Sequence, residues 1–138
     1  MKKIIPNSDA LKIIEESVNA GNSVHLRVRG NSMSPRLLDG KDTVILHPFI
    51  PDNLKKGDVI LFHYRETFLL HRIIEIQDGN SSETRVITKG DALDQREEIL
   101  LSHVVALAEL PKTGQLELIV RRAKIFLKRI NNYFKKHL

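Results

Sequence analysis

The spacing of apolar residues changes period twice along the chain. Between residues 8 and 20, Leu11, Ile14 and Val18, joined by Ile13, recur at helical spacing. Ser8 can cap that helix, Asp9 suits its positive end and Gly21 can stop it. From Val24 the period falls to two. Val24, Leu26 and Val28 alternate with His25, Arg27 and Arg29, which predicts a half-buried strand over 24–29. Further strands are expected at 43–47, 58–64, 67–77, 85–89 and 102–109. The short link Arg65-Glu66 suits a hairpin, and Asp78-Gly79-Asn80-Ser81-Ser82 reads as a turn. Six short strands with no helix between them imply a mainly β fold, a small coiled antiparallel sheet or barrel. The helical period returns at 116–136. There Leu116, Ile119, Ala123, Phe126, Leu127, Ile130 and Phe134 share one face, with Arg121, Arg122, Lys124, Lys128, Arg129 and Lys135 on or beside the other. The expected organisation is an N-terminal helical segment (1–23), a β domain (24–114) and a basic amphipathic C-terminal helix (115–138).

The 138 residues suffice for one domain with a real core. An apolar fraction of 41% with 28% charged residues excludes a fully disordered chain. The absence of cysteine removes disulfides, cysteine nucleophiles and thiolate metal sites together. His25, His47, His63, His103 and His137 show no paired ligand spacing, so neither a metal nor another cofactor is expected. Charge is uneven. Residues 112–138 hold 8 basic and 1 acidic side chains, against 14 and 16 in residues 1–111. No run approaches the roughly 18 apolar residues of a membrane span. Met1-Lys2-Lys3 starts like a signal peptide, but Pro6, Asn7, Ser8 and Asp9 interrupt before an apolar run forms. The expectation is a cytoplasmic protein, with residues 116–136 offering peripheral contact at the inner face of the membrane. Sparse aromatics and the lack of a helix-turn-helix before that segment speak against a nucleic-acid partner.

One turn draws chemical attention: Gly30-Asn31-Ser32-Met33-Ser34-Pro35. Glycine permits close backbone approach and proline fixes the exit direction. Such a turn can present a hydroxyl while backbone N–H groups point to where a carbonyl oxygen would sit, as acyl transfer requires. The same residue types also fill ordinary turns. His71, between Leu70 and Arg72 on an apolar strand, reads by itself as structural. Asp58 reads as a residue that opens a strand.

Four segments, in order, resemble the boxes of type I signal peptidases and their relatives, including the self-cleaving domains of SOS-type repressors. They are Gly30-Asn31-Ser32-Met33-Ser34-Pro35-Arg36-Leu37, Gly57-Asp58-Val59-Ile60-Leu61-Phe62, Leu70-His71-Arg72-Ile73-Ile74 and Thr88-Lys89-Gly90-Asp91. The resemblance covers about residues 24–114. It implies a coiled β-sheet and serine endopeptidase activity on a signal- or leader-type peptide, through an acyl-enzyme and without metal. Ser32 is similar to the nucleophile. His71 stands where bacterial members usually have lysine, and an imidazole, with an ordinary pKa of about 6.5, can accept a proton at neutral pH. Asp94 and Asp91 are candidates to orient it, Asp94 fitting the family's spacing better, with Glu97 or Glu98 able to substitute; Asp91 could instead pair with Arg72. Gly30, Asn31 and Met33 are candidates for substrate and oxyanion contacts. Gly30 stands where some members carry a serine hydroxyl for the oxyanion. The alternatives are a degenerate module of the same fold that binds a peptide or partner, and a DNA-associated self-cleaving regulator.

Overall fold

The computed structural model describes residues 8–79 and 83–137. Residues 80–82 of the expected 78–82 turn lie outside the described residues, as do residues 1–7 and the side chain of the expected cap, Ser8. The elements are α1 (Ser8–Asn19), β1 (Val24–Arg27), β2 (Thr43–His47), β3 (Val59–Tyr64), β4 (Thr67–Gln77), β5 (Arg85–Lys89), β6 (Arg96–Leu100), β7 (Val104–Glu109) and α2 (Gln115–His137). The strands form one curled sheet in the order β1-β2-β7-β3-β4-β5-β6, and every neighbouring pair is antiparallel. The expected fold class holds. The strand count does not: six strands are expected and seven form, because Arg96-Glu97-Glu98 at the start of β6 shows no apolar alternation.

The sheet is buried on both sides at its centre. In β3, Val59 and Leu61 join a core with Leu26, Val44, Leu46 and Val105, while Ile60 and Phe62 join a second with Ile73, Val86 and Ile99. This explains a run of apolar residues without alternation in the middle of the sheet. Helix α1 closes the first core with Ile14 and Val18, each side chain contributing about 1.5–3 kcal/mol by burial. Ile13 points outward, so it is not part of that face. The helix ends where Gly21 takes a φ of +93° and its N–H bonds back to the Val18 carbonyl.

Helix α2 behaves differently. Its most buried side chain is Arg121, while Leu116, Phe126 and Leu127 stay exposed. Among the described residues, no helix is long and apolar enough to cross a membrane.

Candidate active site

Three strands and one loop meet at a single point. His71 lies on β4 on the same side as Ile73, Thr88 on β5 and Glu97 on β6, all three buried. Strand alternation brings them together: in β6 the side chains of Glu97 and Ile99 turn inward while Arg96 and Glu98 face solvent. The Gly30–Leu37 loop brings Ser32 against the His71 side chain.

Ser32 Oγ lies 3.1 Å from His71 Nε2, and His71 Nδ1 lies 2.8 Å from Glu97 Oε1. Thr88 donates its hydroxyl to the same Glu97 oxygen at 2.8 Å. An ionised carboxylate only accepts, so Nδ1 carries the proton and Nε2 is left to accept from Ser32. Phe62 meets the imidazole edge-on, with ring centroids 6.2 Å apart, which limits its rotation. His71 is 3% exposed and Glu97 7%, so the pair works in a low dielectric where each hydrogen bond is strengthened.

The remaining boxes hold this arrangement. Arg72 donates to both Asp91 oxygens at 2.9 Å and to the Gly57 carbonyl at 2.8 Å. The hydrogen bond to Asp91 raises the Arg72 pKa above its ordinary value, against the opposing effect of burial. The Asp91 amide donates to Met33 Sδ, and the Ala92 amide to the Ser32 carbonyl. Gly90 sits directly on the pair. A Cβ there would lie 2.7 Å from the Ser32 carbonyl oxygen and 3.1 Å from His71 Nε2, so only glycine lets the strand end approach so closely.

The carboxylate that meets His71 is Glu97, which the sequence offers as a substitute for Asp94 and Asp91. Asp94 is exposed in the turn before β6, and Asp91 is engaged by Arg72. Glu97 reaches the imidazole because it occupies an inward strand position, whereas Asp94 is held in a turn. Asp58 accepts from the Lys55 amide and opens β3, as a turn residue does. Gly30 and Met33 line an apolar cleft of about 160 Å³ beside Ser32 and His71, together with Leu26, Val28, Phe68 and Leu70. The Gly30 amide is taken by Asp39 Oδ1 at 2.8 Å, so it is not an oxyanion donor in this arrangement. Asn31 is exposed and lines a larger groove, about 610 Å³, on the α2 side of the turn. Glu97 and Gly90 were the residues that sequence reasoning under-weighted. The signal for Gly90 was its place in Lys89-Gly90-Asp91; for Glu97 it was an acidic residue two positions from Ile99 in a possible strand.

A second buried ion pair braces the same loop from behind. Arg121 of α2 reaches Asp42 Oδ2 at 3.0 Å and the carbonyls of Pro35 and Arg36 at 3.0 and 3.2 Å. Asp42 also accepts from the Leu38 amide. Burial pulls the Arg121 pKa down, but Asp42 and Glu117 more than offset it, and the net direction is upward. Arg36 in turn donates to the Pro111 carbonyl and Thr113 hydroxyl in the link that leads to α2.

Among known protein families, the family model described as Peptidase S24-like matches residues 2–87. The matched segment contains Ser32 and His71 and ends before Glu97. The comparison with curated proteins finds no match.

Proposed function

The chain belongs to the Peptidase S24-like family, which points to a serine peptidase or self-cleaving domain, and from that premise we propose that it cuts a signal- or leader-type peptide with Ser32 as nucleophile, His71 as general base and Glu97 as the residue that orients His71. The observation that carries this reading is the continuous chain of short contacts from Ser32 Oγ through His71 to Glu97. Ser32 Oγ attacks the scissile carbonyl carbon as its proton passes to Nε2. The Glu97 carboxylate stabilises the imidazolium that forms. The imidazolium then protonates the leaving amine as the C–N bond breaks, leaving an ester on Ser32. Water, deprotonated by the same nitrogen, hydrolyses that ester.

The oxyanion needs backbone donors. With the Gly30 amide engaged by Asp39, the amides of Ser32 and Met33 are the donors, and they have no partner among the described residues. The apolar cleft beside Ser32 is small, which favours a small apolar side chain next to the cut. Leader-type peptides with a small residue before the scissile bond are therefore the substrates to assay. Ser32→Ala should lower turnover at least about a thousandfold. Equal turnover in the variant and the wild type would remove Ser32 as nucleophile.

A further inference from the structure

Helix α2 is amphipathic in the reverse sense to a packed helix. At about 100° per residue, Leu118, Arg121 and Ile125 lie on one side, and these are the positions turned toward the domain. Leu116, Ile119, Val120, Phe126, Leu127 and Phe134 lie on the other side, exposed, within an arc of about 120°. The centre of the stripe thus points away from the domain, while Phe126 at its edge lines the groove between α2 and the Ser32 turn. Its inner side is fixed by the Arg121–Asp42 pair, so the helix cannot roll to bury the stripe without breaking a buried ion pair. Monomeric proteins rarely leave a contiguous apolar stripe of this length uncovered.

The basic residues identify what covers it. Lys124 and Lys135 flank the stripe on one side and Arg122 and Arg129 on the other, with Lys128 and Lys136 farther round the helix. Residues 115–138 hold seven basic side chains and one acidic, while the rest of the chain is close to neutral. Long basic side chains at both borders can lay their stems along an apolar surface and lift their charges toward anionic headgroups. A second copy of the helix on the same stripe would instead bring like charges together. We propose that α2 is an in-plane docking helix for a membrane surface rich in anionic lipid. Phe126, Leu127 and Phe134 enter the acyl boundary and the domain sits on the outer, Arg121 side. Docking depends on α2 alone and stands apart from the peptidase reading.

Flotation of the full chain with vesicles tests this. Phosphatidylcholine vesicles containing phosphatidylglycerol should carry the protein, and vesicles of phosphatidylcholine alone should not. The Leu116→Ser/Leu127→Ser double variant, altered only at exposed positions, should partition about tenfold less or weaker. Lys128→Glu should weaken binding roughly fivefold or more, and raised salt should release the protein. The chain contains no tryptophan, so Phe134→Trp supplies a single emission probe that should shift to the blue on the anionic vesicles. A chain that stays unbound with anionic vesicles, or a double variant that floats like the wild type, overturns the proposal. So does a blue shift that appears without lipid and grows with protein concentration, which would assign the stripe to a second copy.

Discussion

Glu97 beneath His71 and Asp42 beneath Arg121 are both buried carboxylates, and both bear on the loop that carries Ser32. The first pair faces the hydroxyl; the second holds the loop's far limb through the Pro35 and Arg36 carbonyls. Their chemistry separates them. An imidazole has two nitrogens and can pass a proton from one side while anchored on the other. A guanidinium has five donors and no acceptor, and it holds its charge, so it can only brace. A buried cation–carboxylate contact is therefore not by itself a sign of catalysis. What distinguishes the candidate site is an imidazole with its second nitrogen turned to a serine hydroxyl.

The largest expected effect falls on the first pair. Glu97→Gln keeps the size of the side chain and removes the fixed acceptor. The amide can donate to Nδ1, which places the imidazole proton on Nε2, where it blocks acceptance from Ser32. Turnover should fall about a thousandfold to ten-thousandfold with KM little changed. The melting temperature should move far less than the activity. A variant with near wild-type kcat would show that the proton route does not run through this contact.

The second pair should show the reverse. Arg121→Met leaves the Asp42 carboxylate buried with the Leu38 amide as its remaining donor from this network, at a cost of about 3–5 kcal/mol in chemical denaturation. The double variant Arg121→Met/Asp42→Leu removes both charges. It should recover most of that loss, short of about 1 kcal/mol for the orphaned Leu38 amide. No apolar pair at positions 71 and 97 could recover activity in the same way. If the double variant regains stability and kcat together, the brace acts only through folding. If stability returns and kcat remains low with KM unchanged, Arg121 also positions the Ser32 turn.

The contrast also marks what could be read from the sequence. Strand alternation exposed six strands near their true positions because their inward residues are apolar: Leu26, Val44 and Leu46, Ile60 and Phe62, Ile73, Val86, and Val105 with Ala106. Strand β6 escaped because one of its inward positions is Glu97, a charge where the period asks for an apolar residue. The local rule failed where the candidate chemistry sits. The same charge bears on the carboxylate beside His71: the family resemblance favoured Asp94, with Glu97 kept as a substitute, and the pleat of β6 turns Glu97 to His71. The two helices teach a related lesson. Both show clear apolar faces, and α1 buries its own through Ile14 and Val18. The outward turn of the α2 face was not legible, because it is set by Arg121 meeting Asp42, 79 residues earlier. A helical wheel ranks faces but does not say which of them finds a partner. The Ser32–His71 meeting was legible only through the order of the four boxes, since periodicity alone places one residue in a turn and the other in an apolar strand.

The smallest expected effect, about tenfold per pH unit, separates the pairs by pH. Protonated His71 cannot accept the Ser32 proton, so log kcat/KM should climb with a slope near one from the acid side and then level as the imidazole becomes neutral. Arg121 and Arg72 act in the opposite sense and far away on the scale. Their pKa values are raised in the folded protein, so the stability they bring is present below the ordinary arginine value. It is lost only as pH rises past the folded value. Between about pH 5 and 8 these two cations therefore keep the loop braced while the rate changes. Measured together, thermal melts should show no loss of stability traceable to Arg121 or Arg72 across the interval in which the rate rises. A flat rate profile over that interval would remove His71 as base. A rate that only follows the melting temperature would make the acid limb a matter of folding, and the two buried pairs would then differ in position but not in kind.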